Sequence, residues 1–95
     1  MSLLIGKVHQ SRKINDAVVK NVQFSTELAV ALRRYMAHDW GDSSVDRKVA
    51  NDMALFDEET PISSSYATCM GLIHITTDRK EHKTSIVFTT ECMSS

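Results

Sequence analysis

Glycine and proline are scarce in this chain, which has three glycines and one proline in 95 residues. That scarcity excludes a linker-rich or collagen-like protein and leaves little room for a boundary between domains. Two cysteines, Cys69 and Cys92, stand apart from any Cys-x-x-Cys or Cys–His spacing, so neither a disulfide framework nor a zinc site is indicated. Each is expected to be a small buried hydrophobe. An excess of one charge is also missing: eleven Lys and Arg face twelve Asp and Glu, a net charge of −1. An electrostatic nucleic-acid binder would carry a basic surplus or stripe. No apolar run approaches the ~20 residues of a membrane span. The opening residues 1–6 are too short an apolar stretch, and lack the basic leader, for a signal peptide. The glycines at 6, 41 and 71 are isolated, so there is no phosphate-cradling loop. What remains is an ordinary globular composition, 42% hydrophobic and 24% charged, read as a single domain over residues 1–95 in a reducing cytoplasm.

The chain divides into elements by its hydrophobic period. Residues 5–10 read as a short strand, and residues 15–21 as one or two helical turns. A helix is expected from Ser25 to about His38, with Ser25 as its cap, Phe24 as a staple before it, and Leu28, Ala31, Leu32, Tyr35 and Met36 on one apolar face. Gly41 would supply the left-handed conformation that ends it. A second helix is expected over residues 44–58. With Val45 at zero and about 100° per residue, Phe56 falls near 20°, Val49 near 40° and Met53 near 80°, which predicts a buried face. Pro61 ends it. The period then changes to two. Residues 62–66, 71–77 and 84–90 read as strands, with the charged segment 78–83 as the hairpin between the last two. The predicted fold is α+β: a small antiparallel sheet of about four strands with two main helices packed on one face. The opposite face would carry Leu72, His74 and Val87 and would be wet or meet a partner.

The 39–42 loop, Asp39-Trp40-Gly41-Asp42, holds the only tryptophan. Two accounts of it are open. In the first, Asp39 or Asp42 accepts hydrogen bonds from loop amides, and Trp40 roofs the core with its N–H on a carbonyl. In the second, Trp40 is an exposed anchor on an acidic rim. The first is preferred because tryptophan is highly buried on average. Asp52 falls near −20° on the second helix, inside its apolar stripe, where a carboxylate must be paired. It is read as a structural pin bonded to loop amides, a Tyr35 or Tyr66 hydroxyl, or an Arg. The alternative groups it with Asp39, Asp42 and Asp46 as a metal or catalytic set, although no calcium-loop spacing is present.

Of the four histidines, His74 is the one that a serine on a neighbouring strand (Ser63 or Ser65) or Tyr66 could join in acid–base work. A nucleophile elbow is absent from the sequence. Arg33-Arg34 and Arg79-Lys80 with Lys83 are the basic clusters, read as solvated faces.

Taken in order, Asp39-Trp40-Gly41-Asp42, Asp46, Asn51-Asp52 with Ala54-Leu55, Ser65-Tyr66, Ile73-x-Ile75-Thr76, Asp78-Arg79, Thr84 and Ile86 resemble a family of small uncharacterised bacterial proteins. Its members are labelled plasmid-related or hypothetical and occur on plasmids, phages and integrative elements. The resemblance runs from Gly6-Lys7-Val8 to Glu91, and its most specific part is the Asp-Trp-Gly-Asp followed by Asn-Asp. Thr77 stands where the family has a Glu, and the chain ends without the family's acidic-Tyr tail. The resemblance implies mobile-element biology and singles out Asp39, Trp40, Gly41, Asp42, Asn51 and Asp52. It implies no particular activity.

Together these readings favour a small non-enzymatic accessory protein of a bacterial mobile element. It would bind an unknown macromolecule, protein in preference to DNA, through Asp39, Trp40, Asp42, Asn51 and Asp52. No cofactor, metal or membrane is called for, and a homodimer is possible through an edge strand. Two alternatives stay open: a small enzyme or metal/ligand-binding domain using the Asp39, Asp42 and Asp52 carboxylates, and a dimeric DNA-associated regulator.

Overall fold

The computed structural model describes residues 6–41, 43–57 and 60–90. Its elements follow the order β1 (Lys7–Gln10), α1 (Arg12–Lys20), α2 (Val22–Met36), α3 (Val45–Ala54), β2 (Ile62–Thr68), β3 (Gly71–Asp78) and β4 (Lys83–Phe88). The fold is α+β, as the change of period predicts. β2, β3 and β4 form an antiparallel meander, with Ser65 opposite His74 and Ile75 opposite Ile86. β1 lies beyond β4 and runs parallel to it, so the spatial order is β1-β4-β3-β2 and the sheet is mixed. The expected all-antiparallel sheet is corrected at this one pair. Parallel neighbours need a long crossover, and the helices between β1 and β4 supply it.

Both helices that cover the sheet start on side-chain caps. Ser11 Oγ accepts the Ile14 N–H at 3.2 Å and opens α1, which begins earlier than the 15–21 segment expected. Asn21 closes α1 and opens α2: its N–H donates to Ala17 O, and its Oδ1 accepts the Phe24 N–H at 3.1 Å. Asn21, and not Ser25, is therefore the cap, and Phe24 lies inside the helix and fully buried. At the other end His38 takes the left-handed conformation, with φ 66°, one residue after the C-cap Ala37. Gly41 was expected in that role.

The core forms where Ile14 and Ala17 of α1 and Phe24, Leu28, Ala31 and Tyr35 of α2 meet Ile62, Tyr66, Ile73, Ile75 and Ile86 of the sheet. Each large side chain buried there contributes about 1.5–3 kcal/mol. One polar chain crosses this core. The Tyr35 hydroxyl donates to Ile62 O at 3.1 Å and lies 2.6 Å from Thr77 Oγ1, which lies 2.9 Å from Thr84 Oγ1. Burial pushes the Tyr35 pKa up to about 12, so the phenol stays protonated and remains a donor. On the other sheet face Ser63, Ser65, His74, Thr76, Ser85 and Val87 are half-buried, while Leu72 and His9 are exposed.

α3 departs from the expected plan. It stands against the edge strand β2 and not on the face of the sheet, and it is shorter than the 44–58 helix expected. Ser44 caps it, with Oγ accepting the Arg47 N–H at 3.1 Å. Arg79 terminates it by donating from Nη1 to the carbonyls of Ala54 and Asp57. Ala54 is the last residue of α3 and Asp57 lies just beyond it, at the negative end of the helix, where a guanidinium is favoured. The buried residues of α3 are Asn51 and Ala54. Val45, Val49, Met53 and Phe56 are all exposed, which overturns the predicted buried face. Cys69 is also exposed, at the β2–β3 turn, and not buried as expected: its N–H donates to Glu27 Oε1 of α2 at 2.7 Å, and its Sγ lies 3.8 Å from Asn21 Nδ2, both at the surface. Cys92 lies outside the described residues.

Candidate functional site

The residues singled out in the sequence converge on the corner between α2, α3 and β2. Trp40 is 4% exposed. Its ring meets Tyr35 edge-on at 5.7 Å between centroids and is stacked by His38 at 5.9 Å. Its indole N–H donates to Asp52 Oδ1 at 2.8 Å. Trp40 is thus a roof over the core and not an exposed anchor, and its N–H finds a carboxylate where a carbonyl was expected. Asp52 was expected to be buried in the apolar stripe and bonded to loop amides, a tyrosine hydroxyl or an Arg; it is exposed at the helix rim, and its partner is the indole.

Asp39 works in the opposite direction along the chain. Its carboxylate receives Arg34 Nε at 2.9 Å and Nη2 at 3.3 Å, and its Oδ1 accepts the Gly41 N–H at 3.0 Å. The guanidinium, then the Gly41 amide, hold its pKa below the ordinary carboxylate value. The Asp39 carbonyl accepts the Tyr66 hydroxyl at 2.6 Å, and Arg34 lies over the Tyr66 ring, 5.4 Å from its centroid. Burial raises the Tyr66 pKa. Gly41, with φ 62°, passes so close that a Cβ there would lie 2.4 Å from Tyr66 Cδ1. This approach lets Gly41 bridge to Ser65 beside β2. Ser43 fastens the same loop: its hydroxyl donates to Trp40 O at 2.7 Å and accepts the Ser65 N–H at 3.0 Å.

Asn51, 1% exposed, completes the corner. Its Nδ2 donates to Ser63 O at 2.6 Å, and its Oδ1 accepts the Ser63 N–H at 3.4 Å. A side-chain amide here does what a neighbouring strand would do for β2. With Gly41 at Ser65, it occupies the β2 edge and blunts it against pairing with another sheet.

Asp42, the remaining residue singled out, lies outside the described residues. Asp39 and Asp52 have separate partners, and among the described residues no group of three His, Cys, Asp or Glu side chains is placed to hold a metal ion. The hydrogen bonds of this corner fix α3 and its loop to the edge of the sheet. Beside it, between α2 and β2, runs a shallow open depression lined by Thr26, Glu27, Val30, Arg34 and Tyr66.

Ser65 and His74 do meet on the open sheet face, with Oγ 3.3 Å from Nδ1. Burial, then the charge of Arg47, lowers the His74 pKa. Ser65 occupies a regular paired position on β2, not a strained turn that thrusts its hydroxyl outward.

The feature that sequence reasoning placed wrongly is the outer face of α3. Val45 is 75% exposed, Val49 52%, Met53 68% and, one turn past the helix end, Phe56 93%. Scattered exposed apolar residues are ordinary; these four fall on one side of α3 and of the turn that follows it. The signal was present as Asp52 inside the stripe, beside Asn51 and Ala54 on the other side.

Comparison with family models, with curated proteins and with solved structures gives no match for this chain. No helix among the described residues is long and apolar enough to cross a membrane.

Proposed function

We propose that the protein is a small non-enzymatic accessory protein of a bacterial mobile element, acting in the cytoplasm by binding another protein. The observation that carries this reading is the outward apolar stripe of α3, which the chain holds in place through a dedicated polar corner. The Asp39, Trp40, Asn51 and Asp52 set is the scaffold of that surface, and the contact residues are Val45, Val49, Met53 and Phe56. The placement on a mobile element rests on the sequence pattern of that same corner. Protein is favoured over DNA because two of the basic side chains are spent internally, Arg34 on Asp39 and Arg79 on the Ala54 and Asp57 carbonyls.

A photo-crosslinking amino acid placed at Phe56, with a control at the exposed Lys13 of α1, tests the reading in bacterial cells. Protein adducts specific to the Phe56 position are expected. Adducts with nucleic acid, or equal labelling at both positions, would overturn it.

A further inference from the structure

A helix that keeps valine, methionine and phenylalanine in water over its whole outer face is half of an interface, and its own residues indicate the other half. We propose that α3 pairs with α3 of a second copy of this chain, antiparallel about a two-fold axis near Ala50 and Asn51. This rests on the reading of α3 as the contact surface and names its occupant.

Two features of the helix specify this pairing. The first is apolar self-complementarity. In an antiparallel pair centred there, Val45 meets the partner's Phe56, and Val49 meets the partner's Met53, so each large side chain faces a smaller or more flexible one. A two-fold contact uses the same patch twice and closes on itself. The second is charge. Lys48 and Asp52 lie one turn apart on the same flank of the stripe. Reversing the partner's direction sets Lys48 beside the partner's Asp52, and Asp52 beside the partner's Lys48. In a parallel pair the two copies of that flank fall on opposite sides of the seam, and Lys48 and Asp52 do not meet. One helix thus carries both halves of an antiparallel ion-pair pattern.

Size sets the strength. The four exposed side chains offer on the order of 500 Å² per copy, against the ~800 Å² per partner of a standard-size interface. The expected dimer is therefore concentration-dependent and exchanges rapidly. Lys48–Asp52 contacts at the rim add orientation more than affinity.

Sedimentation equilibrium of the full chain over a concentration series, up to the order of 0.1 mM, reads the pairing directly. The wild-type chain is expected to shift from monomer toward dimer. Phe56→Ser and Val49→Asp, both at exposed positions, are expected to weaken the dimer by about tenfold or more with unchanged circular dichroism. Lys48→Glu, which sets a second acid beside the partner's Asp52, is expected to weaken it by a few-fold, on the order of a rim ion pair. A chain monomeric at every concentration overturns self-pairing. A dimer indifferent to Phe56→Ser and Val49→Asp, formed for instance through the exposed strand β1, overturns it equally. The first of these failures leaves the contact-surface reading intact where Phe56 still crosslinks to a different protein. Loss of that adduct as well removes both.

Discussion

Helices α2 and α3 each carry an apolar stripe at helical spacing, and they dispose of it in opposite ways. α2 turns Phe24, Leu28, Ala31 and Tyr35 into the core, while α3 turns Val45, Val49 and Met53 outward and buries Asn51 and Ala54. The difference lies in what each helix faces. α2 lies across the sheet's apolar face, where burial of hydrocarbon is the main gain. α3 faces the open side of β2, where unpaired backbone groups need hydrogen-bond partners more than apolar cover. A helix facing such an edge is held best by an amide, and its hydrocarbon is left for something else. An apolar stripe therefore identifies a surface that avoids water, without saying whose surface will cover it.

Substitutions at matched positions break or sharpen this contrast. The largest effect belongs to α2: Leu28→Ala should cost about 2–5 kcal/mol, read as a lowered midpoint in urea. A small cost would mean that the sheet face is not the main core. Next comes the inward side of α3, where Asn51→Ala leaves the Ser63 groups unpaired and should cost about 1–3 kcal/mol. If Asn51→Ala melts like the wild type, α3 is not fastened through β2. Asp52→Ala removes the acceptor of the Trp40 indole, and a loss of about 1 kcal/mol, a few degrees in melting temperature for a domain of this size, is expected. An unchanged melting curve would end its role as a pin.

The open sheet face gives a smaller, pH-dependent effect. His74 has its folded pKa held below the ordinary ~6.5 of histidine, so the unfolded chain binds its proton more readily. Its contribution is complete above that ordinary value and is lost as the pH falls through it toward the lower folded value. Melting temperatures of the wild type and His74→Gln, measured from about pH 8 to 5, should converge as the pH falls. Parallel curves would show that the ring titrates alike in both states. The smallest effect is expected on the outer face of α3, where Val49→Ser in dilute monomer should change stability by no more than about 0.5 kcal/mol. A loss as large as that of Leu28→Ala would place this face inside the core.

Much of the molecule is legible in the residues themselves. The strands of the meander, the charged hairpin turn and the inward face of α2 all follow from period. Three features do not. The parallel run of β1 is set by the crossover, and four residues carry no local mark of which neighbour they will join. The cap at Asn21 competes with Ser25, and a serine followed by Glu27 is an equally good local signal. The orientation of α3 depends on a strand edge formed by residues that come later in the chain. For β1 and for α3 the deciding partner is remote in sequence.

The parallel pair of β1 and β4 also has a consequence for how the chain is made. β1 is synthesised first, but its neighbour in the sheet is the last strand to appear. Until β4 has left the ribosome, α1 and α2 have an apolar face and only part of a sheet to rest it on. The meander forms from near neighbours and needs little loop closure, whereas β1 closes the longest loop in the fold and docks late. A growing chain stalled short of β4 therefore holds its helices exposed, in the state most open to chaperones and proteases.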